Sequence, residues 1–198
     1  MRAAVWILSI ALLAVSFPVA ENFYLRNVYR QTLAHWLSKI APPPTVFIGD
    51  SITAGGFSFN SWRDINLAEN GLLTYQIAAT LEIAQSYKPE HIHIMAGIND
   101  ARHGYAAAEL RELWQTICRE PRIVITLAPP TFNEKANHAI GEINRIVEES
   151  CAGRTIVSLR SLGDGSGRLQ QHFAADTSGH LGPDAYEVWR GLLKEHGV

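Results

Sequence analysis

The chain has 198 residues, of which 47% are hydrophobic and 18% are charged, and its formal net charge is −2. This composition is typical of a globular protein of one domain with enough apolar residues for a sizeable core. The nearly balanced charge, without a run of basic residues interleaved with aromatic ones, gives no reason to expect a nucleic acid partner.

The chain begins with an apolar segment. Residues 3–20 form a stretch of 18 residues without a charged side chain, a length between that of a signal peptide and that of a membrane-spanning helix. We interpret residues 1–20 as a signal peptide or a signal-anchor helix, with a buried core helix as a third alternative. In the first two cases the rest of the chain is exported, either secreted or held at the periplasmic face of a membrane through residues 3–20.

A second segment, residues 21–42, is predicted to form an amphipathic helix followed by a proline-rich linker. The helix is predicted over Glu21–Lys39 and could lie on a membrane surface or pack against the domain that follows. It is expected to end at the run Ala41-Pro42-Pro43-Pro44, because consecutive prolines cannot continue a helix. We therefore expect a globular domain over residues 43–198.

Within that domain, short apolar runs alternate with helical patterns, which predicts parallel strands joined by helices. The fold class expected is α/β, a three-layer α/β/α sandwich around a five-stranded parallel sheet. Helices with a 3.6-residue apolar period are predicted around Leu110–Cys118 and Ala136–Val147, and a last helix is predicted to begin near Pro183. The strands are predicted at Thr45–Asp50, Ile65–Ala68, His91–Ala96, Arg122–Leu127 and Thr155–Leu159.

Five residues that could form one catalytic site follow the predicted strands, at the carboxyl ends of those strands. Open parallel sheets bind ligands outside that edge, so the five are expected to lie close together. A serine beside a histidine and a carboxylate is the arrangement that nucleophilic catalysis requires, because the serine hydroxyl must lose its proton to a neighbouring base. The five are Ser51, Gly71, Asn99, Asp176 and His180.

Four segments carry a resemblance to a known family: Gly49-Asp50-Ser51-Ile52-Thr53, Asn70-Gly71, Gly97-Ile98-Asn99-Asp100, and Asp176 followed by His180. In this order they resemble the SGNH (GDSL-type) hydrolase family of esterases and lipases. The resemblance covers roughly Pro44 to Trp189 and implies a flavodoxin-like sheet.

The resemblance also implies a role for each of the five residues. Ser51 would be the nucleophile, His180 the general base and Asp176 the acid that orients the histidine. The backbone N–H groups of Ser51 and Gly71 and the side-chain amide of Asn99 would form the oxyanion hole. Neither a metal nor a cofactor is implied.

The spacing between acid and base departs from the family pattern. The family has Asp-x-x-His, whereas this chain has one residue more between Asp176 and His180. Gly179 could absorb the extra residue, because glycine adopts backbone angles denied to other residues. Asp164 and Asp184 are competing carboxylates, and a Ser-His pair held by a backbone carbonyl is a further alternative.

Two other pairs of residues could carry chemistry. His91 and His93 alternate on one predicted strand and could hold a metal, but no third ligand is evident, so we interpret them as structural. Cys118 and Cys151 each end a predicted helix just before a strand, which places both at one edge of the sheet. A disulfide is plausible in an exported protein, and two free buried thiols remain an alternative.

These observations predict an exported serine esterase that hydrolyses carboxylic (acyl or acetyl) esters through an acyl-enzyme. Its substrate would be a small-molecule, lipid or glycan ester, such as a lysophospholipid, a short-chain lipid or an O-acetylated cell-wall polysaccharide. One alternative is an O-acyltransferase that acts on a cell-surface glycan. Another is a non-catalytic exported module with the same fold that binds glycan or lipid.

Overall fold

In the computed structural model, residues 43–56, 64–105 and 107–198 are described. Their five strands form one parallel sheet in the order β2-β1-β3-β4-β5, which is the flavodoxin-like order. The predicted α/β fold with a five-stranded parallel sheet is therefore confirmed. The strands are β1 (Thr45–Gly49), β2 (Ile65–Asn66), β3 (His91–Met95), β4 (Ile123–Thr126) and β5 (Thr155–Val157).

The predictions for residues 1–20 and for the helix over Glu21–Lys39 lie outside the described residues. Within the described ranges, no helix is both long enough and apolar enough to cross a membrane.

All five strands lie where the sequence predicts them, but each is shorter than predicted. The largest differences at a single strand end are at β2, which ends at Asn66 instead of Ala68, and at β5, which ends at Val157 instead of Leu159. The cause at β2 is its position at the sheet edge, where it pairs with β1 over two residues only. The apolar residues that follow these two strands are buried without belonging to the sheet.

Helices connect the strands and follow the last one. Asn133 caps α6, because its side-chain oxygen accepts a hydrogen bond from the N–H of Ala136. The last helix begins with Pro183 at its first turn, as predicted. The helices are α1 (Ser51–Gly56), α2 (Thr74–Ala79), α3 (Leu81–Ser86), α4 (Ile98–His103), α5 (Ala107–Ile117), α6 (Glu134–Ser150) and α7 (Pro183–Glu195).

The sheet is buried on both faces, which makes the fold a three-layer sandwich. Alternate side chains of β3 illustrate this, since Ile92 and Ile94 face one core cluster and Met95 faces the other. Helices α2, α3, α5 and α6 supply the first cluster, and α1 and α7 supply most of the helical part of the second. Trp114 of α5 and Trp189 of α7 are the largest fully buried side chains of the two layers.

His93 belongs to the second of these layers and is fully buried. Its Nε2 lies 2.7 Å from the hydroxyl oxygen of Thr126, which also accepts a hydrogen bond from the indole N–H of Trp189. Burial lowers the pKa of His93 to about 3, so the ring is neutral in the core. These contacts fit the structural interpretation of this histidine.

The register of the sheet aligns the carboxyl ends of its four longest strands. Gly49 of β1 is paired with Met95 of β3, Met95 with Thr126 of β4, and Thr126 with Val157 of β5. The segments that leave these strands therefore start from one line across the sheet. That line positions the candidate site described below.

Cys118 and Cys151 form a disulfide, with their Cα atoms 5.4 Å apart. The bond links the segment after α5 to the end of α6, and both cysteines are buried. The alternative of two free thiols is therefore wrong. A disulfide here restricts the unfolded chain, because it closes a loop over a sequence separation of 33 residues.

Replacing both cysteines by serine is expected to lower the free energy of unfolding by about 3–4 kcal/mol, the value that loop-closure entropy gives for a loop of this length. Urea unfolding with and without a reductant measures the loss. Reduction should destabilise the wild type by a similar amount and leave the double variant unchanged. Equal stability of the two proteins under oxidising conditions would contradict this prediction.

Candidate active site

Ser51 lies at the sharp turn from β1 into α1. The turn requires a glycine at position 49, because a Cβ there would come within 2.8 Å of the carbonyl oxygen of Met95 on the neighbouring strand. Ser51 is the first residue of α1 and is half-buried. Its hydroxyl is thereby held at the carboxyl edge of the sheet, where a substrate can reach it.

A chain of polar contacts links Ser51 to a histidine and a carboxylate. The Ser51 Oγ lies 3.3 Å from Nε2 of His180, and the Nδ1 of His180 lies 2.7 Å from Oδ2 of Asp176. The serine–histidine distance is at the long end for a hydrogen bond, as is common in sites without a bound substrate. The structure thus brings together the three residues that the sequence selects as nucleophile, base and acid.

The longer spacing between acid and base is absorbed by a compact turn. The other carboxylate oxygen of Asp176, Oδ1, accepts hydrogen bonds from the N–H and the hydroxyl of Ser178 and from the N–H of His180, at 2.9, 2.7 and 3.2 Å. Gly179 has a φ of +89°, a conformation that favours glycine. The extra residue therefore does not remove the carboxylate from the histidine.

These contacts also favour the ionised carboxylate. The hydrogen bonds from Ser178 and then from His180 hold the pKa of Asp176 well below its usual range. The acid is thus charged whenever the histidine could act as a base. A charged carboxylate beside Nδ1 keeps the imidazole proton on Nδ1. Nε2 is then unprotonated and can accept the proton of Ser51.

Asp164 and Asp184, the two other candidates for the acid, have other places in the structure. Asp164 accepts hydrogen bonds from the N–H groups of Ser166 and Arg168 and closes a separate turn. Asp184 lies in the first turn of α7. Among the described residues, the carboxylate that contacts His180 is that of Asp176.

Gly71 and Asn99 line the same cleft as Ser51 and His180. Asn99 is buried in the first turn of α4, and its Nδ2 donates a hydrogen bond of 3.0 Å to the carbonyl oxygen of Leu72. This contact orients the amide beside the Gly71 loop. The cavity has a volume of about 480 Å³ and is lined by Ser51, Gly55, Asn70, Gly71, Asn99, Arg102, His180, Leu181 and Tyr186.

Sequence reasoning missed three residues that build or border this cleft. Asp100 is buried and accepts hydrogen bonds from the N–H and hydroxyl of Thr74, which ties the start of α2 to α4. The hydroxyl of Tyr186 donates to the carbonyl oxygen of Ile52 and so holds α7 against α1. Arg102 donates to the carbonyl oxygen of Ser178 at 3.2 Å. Only Asp100 had a sequence signal, since it follows Asn99 in the third motif.

Asp50, beside the nucleophile, is a buried carboxyl group with one hydrogen-bond partner. Its Oδ1 accepts from the N–H of Ile52 at 3.0 Å, whereas Oδ2 has no partner among the described residues. Burial raises the pKa of Asp50 from 3.8 to about 6, against the smaller opposing effects of the Ile52 hydrogen bond and the Arg102 charge.

Replacing Asp50 by asparagine is expected to stabilise the protein at pH 7.5 by up to about 3 kcal/mol. The folded-state pKa is above the unfolded value, so the favourable contribution of Asp50 is complete below pH 3.8. It is lost as the pH rises towards 6, because the unfolded chain ionises first. Asparagine keeps an acceptor for Ile52 and does not ionise.

Urea unfolding at about pH 4 and pH 7.5 measures this difference. The gain in stability from Asp50→Asn should be larger at the higher pH. Glu112→Gln, which changes an exposed carboxylate on α5, serves as the matched control. A gain that is absent at pH 7.5, or equal at both pH values, would refute the prediction.

The comparisons with known proteins agree with this fold. The model of the GDSL-like lipase/acylhydrolase family matches residues 47–188. The chain therefore belongs to the GDSL-like lipase/acylhydrolase family, and this membership supports an acylhydrolase that acts on small-molecule esters. No curated protein sequence matches the chain significantly.

Several solved structures share the fold at low sequence identity. A GDSL-like lipase from Bacteroides thetaiotaomicron VPI-5482 has a TM-score of 0.67 at 17% identity, covering 84% of this chain and 96% of its own. The esterase EstA from Pseudoalteromonas sp. has a TM-score of 0.57 at 14% identity, covering 78% and 98%. The OSK domain of Drosophila Oskar has a TM-score of 0.57 at 13% identity, covering 75% and 86%. At these identities the similarity concerns the fold.

Proposed function

We propose that the chain is an exported serine esterase that hydrolyses carboxylic esters through an acyl-enzyme on Ser51. The main support for this proposal is the pair of consecutive contacts that join the Ser51 hydroxyl to His180 and His180 to Asp176. A turn serine without a catalytic role has no need of a histidine that is itself oriented by a carboxylate.

In the acylation step, Ser51 Oγ attacks the ester carbonyl while its proton passes to Nε2 of His180. The ester carbonyl oxygen becomes negatively charged and accepts hydrogen bonds from the N–H groups of Ser51 and Gly71 and from the Asn99 amide. Donors positioned before the reaction stabilise that charge without reorganisation. Asp176 stabilises the imidazolium that forms, as carboxylates do in serine hydrolases.

The tetrahedral intermediate then collapses. The bond to the alcohol oxygen breaks, and that oxygen takes the proton from His180 Nε2. A water molecule, deprotonated by His180, attacks the acyl-enzyme in the same way, which releases the acid and restores Ser51. The side chains of the chain itself supply every proton transfer, so the proposal requires neither a metal nor a cofactor.

The catalytic histidine and acid are open to water. The side chains of His180 and Asp176 are 42% and 46% exposed, so water has access to the acyl-enzyme, as hydrolysis requires. The non-catalytic alternative depended on the longer acid–base spacing, and the turn at Ser178 and Gly179 removes that argument.

Export is proposed from two features. Residues 3–20 are apolar, and the disulfide between Cys118 and Cys151 is of a kind that persists in oxidising compartments. Such a location would give the enzyme access to both lipid and cell-wall esters.

The proposal is tested by hydrolysis of chromogenic acetate, butyrate and octanoate esters by the full-length chain. We expect turnover of at least one ester, and the preferred chain length distinguishes a deacetylase from an enzyme for lipid substrates. Absence of turnover above the rate of a Ser51→Ala variant, for all three esters, would contradict the proposal.

A further inference from the structure

We infer that Arg102 selects esters whose alcohol part carries a negative charge, either a carboxylate or a phosphate. This inference names a substrate class for the proposed esterase and therefore rests on the proposed function. It begins from a feature that the catalytic chemistry does not use: two cavities that adjoin at the side chain of Arg102.

The larger cavity is the catalytic cleft, and the smaller one has a volume of about 230 Å³. The smaller cavity is lined by Arg102, Thr131, Phe132, Asn133, Ala136, Thr177 and Ser178. Arg102 is the residue that the two linings share. We propose that the distal part of a substrate bound at Ser51 lies against Arg102, the residue that borders both cavities.

The charges of the described residues that line the two cavities favour an anion. Of these described residues, Arg102 is the one lysine or arginine, and none is an aspartate or a glutamate. Among residues 43–56, 64–105 and 107–198, no carboxylate forms an ion pair with Arg102. Its charge also acts on the buried Asp50, but that carboxylate lies beneath the cleft surface.

Within the described part of the chain, the guanidinium donates one hydrogen bond, from Nη2 to the carbonyl oxygen of Ser178. A guanidinium has five N–H donors in a fixed fork, which suits the oxygens of a carboxylate or a phosphate. The bond to Ser178 anchors the side chain beside the catalytic turn and leaves other donors for a ligand. An anion at this place would form a charge-assisted pair.

The position of His180 indicates which part of the ester reaches the smaller cavity. His180 must give its proton to the alcohol oxygen, so the alcohol leaves on the side of that histidine. Thr177 and Ser178, which belong to the same turn as His180, line the smaller cavity. The charged group therefore belongs to the alcohol part and not to the acyl part.

The test uses phenyl acetates with three different para substituents: a neutral carboxamide, a carboxylate and a phosphate. The quantity measured is kcat/KM for each charged ester divided by kcat/KM for the neutral one. Comparing this ratio between variants cancels the intrinsic reactivity of each ester. The full-length wild type, Arg102→Gln, Arg102→Lys and the control Arg119→Gln are compared. Arg119 is exposed and precedes β4, away from the cleft.

We expect Arg102→Gln to lower this ratio by about tenfold. A loss of this size is at the lower end of the effects expected when a hydrogen-bonded charge pair at an exposed group is removed. Arg102→Lys should keep part of the preference, and Arg119→Gln should keep all of it. Raising the ionic strength from about 0.05 M to about 0.5 M should lower the wild-type ratio, because salt screens exposed charges. A larger change for one of the charged esters identifies the preferred anion.

Several outcomes would overturn the inference. An equal loss of kcat/KM for all three esters in Arg102→Gln would show that Arg102 acts only by holding the Ser178 turn. A loss confined to an ester with a charged acyl group, the hemisuccinate of 4-nitrophenol, would contradict the assignment to the alcohol side. In both cases the esterase proposal stands. If the wild type hydrolyses neither these esters nor the chromogenic acetate, butyrate and octanoate esters, the proposed function fails, and this inference fails with it. Hydrolysis of the chromogenic esters without any hydrolysis of the phenyl acetates would contradict this inference alone.

Discussion

Replacing Ser51 by alanine is expected to lower the kcat of ester hydrolysis by about 10⁴-fold or more, the largest effect of any single substitution in the chain. Without Oγ no acyl-enzyme can form, so the remaining rate reflects only substrate binding and the oxyanion donors. The fold should be unaffected, because a half-buried hydroxyl at the start of α1 is removed without creating a large cavity.

Ser86→Ala is the matched control for this substitution. Ser86 is the last residue of α3, and its hydroxyl donates a hydrogen bond to the carbonyl oxygen of Ile83 at the same helix end. Rates are measured with the best chromogenic ester, and circular dichroism checks the fold. Ser51→Ala with more than a tenth of the wild-type kcat, and with unchanged pH dependence, would exclude Ser51 as the nucleophile.

The second large effect is expected for Asp176→Asn, with a loss in kcat of about 10²–10³-fold. Asparagine cannot carry the charge that stabilises the imidazolium, and its amide can force the wrong tautomer on His180. The loss should be smaller than the roughly 10⁴-fold found when a fully buried acid is replaced, because Asp176 is 46% exposed and water screens its charge.

The same substitution at the two other candidate acids provides the control. Asp164→Asn and Asp184→Asn should change kcat little, since neither carboxylate is in contact with His180 among the described residues. Near-wild-type activity of Asp176→Asn would instead support a Ser-His pair. A large loss in Asp184→Asn would move the acid to that residue.

The strand pattern was predictable because parallel strands buried on both faces are nearly continuous apolar runs. Phe47 and Ile48 illustrate this, since they face opposite core clusters and are both buried. The candidate nucleophile, base and oxyanion donors were predicted from the resemblance of four short segments to the SGNH family. Their positions after strands at the same sheet edge agree with that prediction, because the carboxyl ends of parallel strands meet at one edge.

Features that depend on tertiary contacts could not be predicted in the same way. The turn that joins Asp176 to His180 depends on side-chain bonds from Ser178, which a spacing rule does not contain. Predicting the disulfide required knowing how close together α5 and α6 place Cys118 and Cys151. Arg102 had no sequence signal, because its role arises from a cavity formed between α4 and the catalytic turn.

The most direct test of the central claim, an activated serine at position 51, is covalent labelling of the full-length protein with a fluorophosphonate. We expect one phosphonyl group per chain, located on Ser51 by peptide mass spectrometry, absent in Ser51→Ala and formed far more slowly in His180→Ala. No labelling, or labelling of another residue at the same rate in Ser51→Ala, would contradict the account.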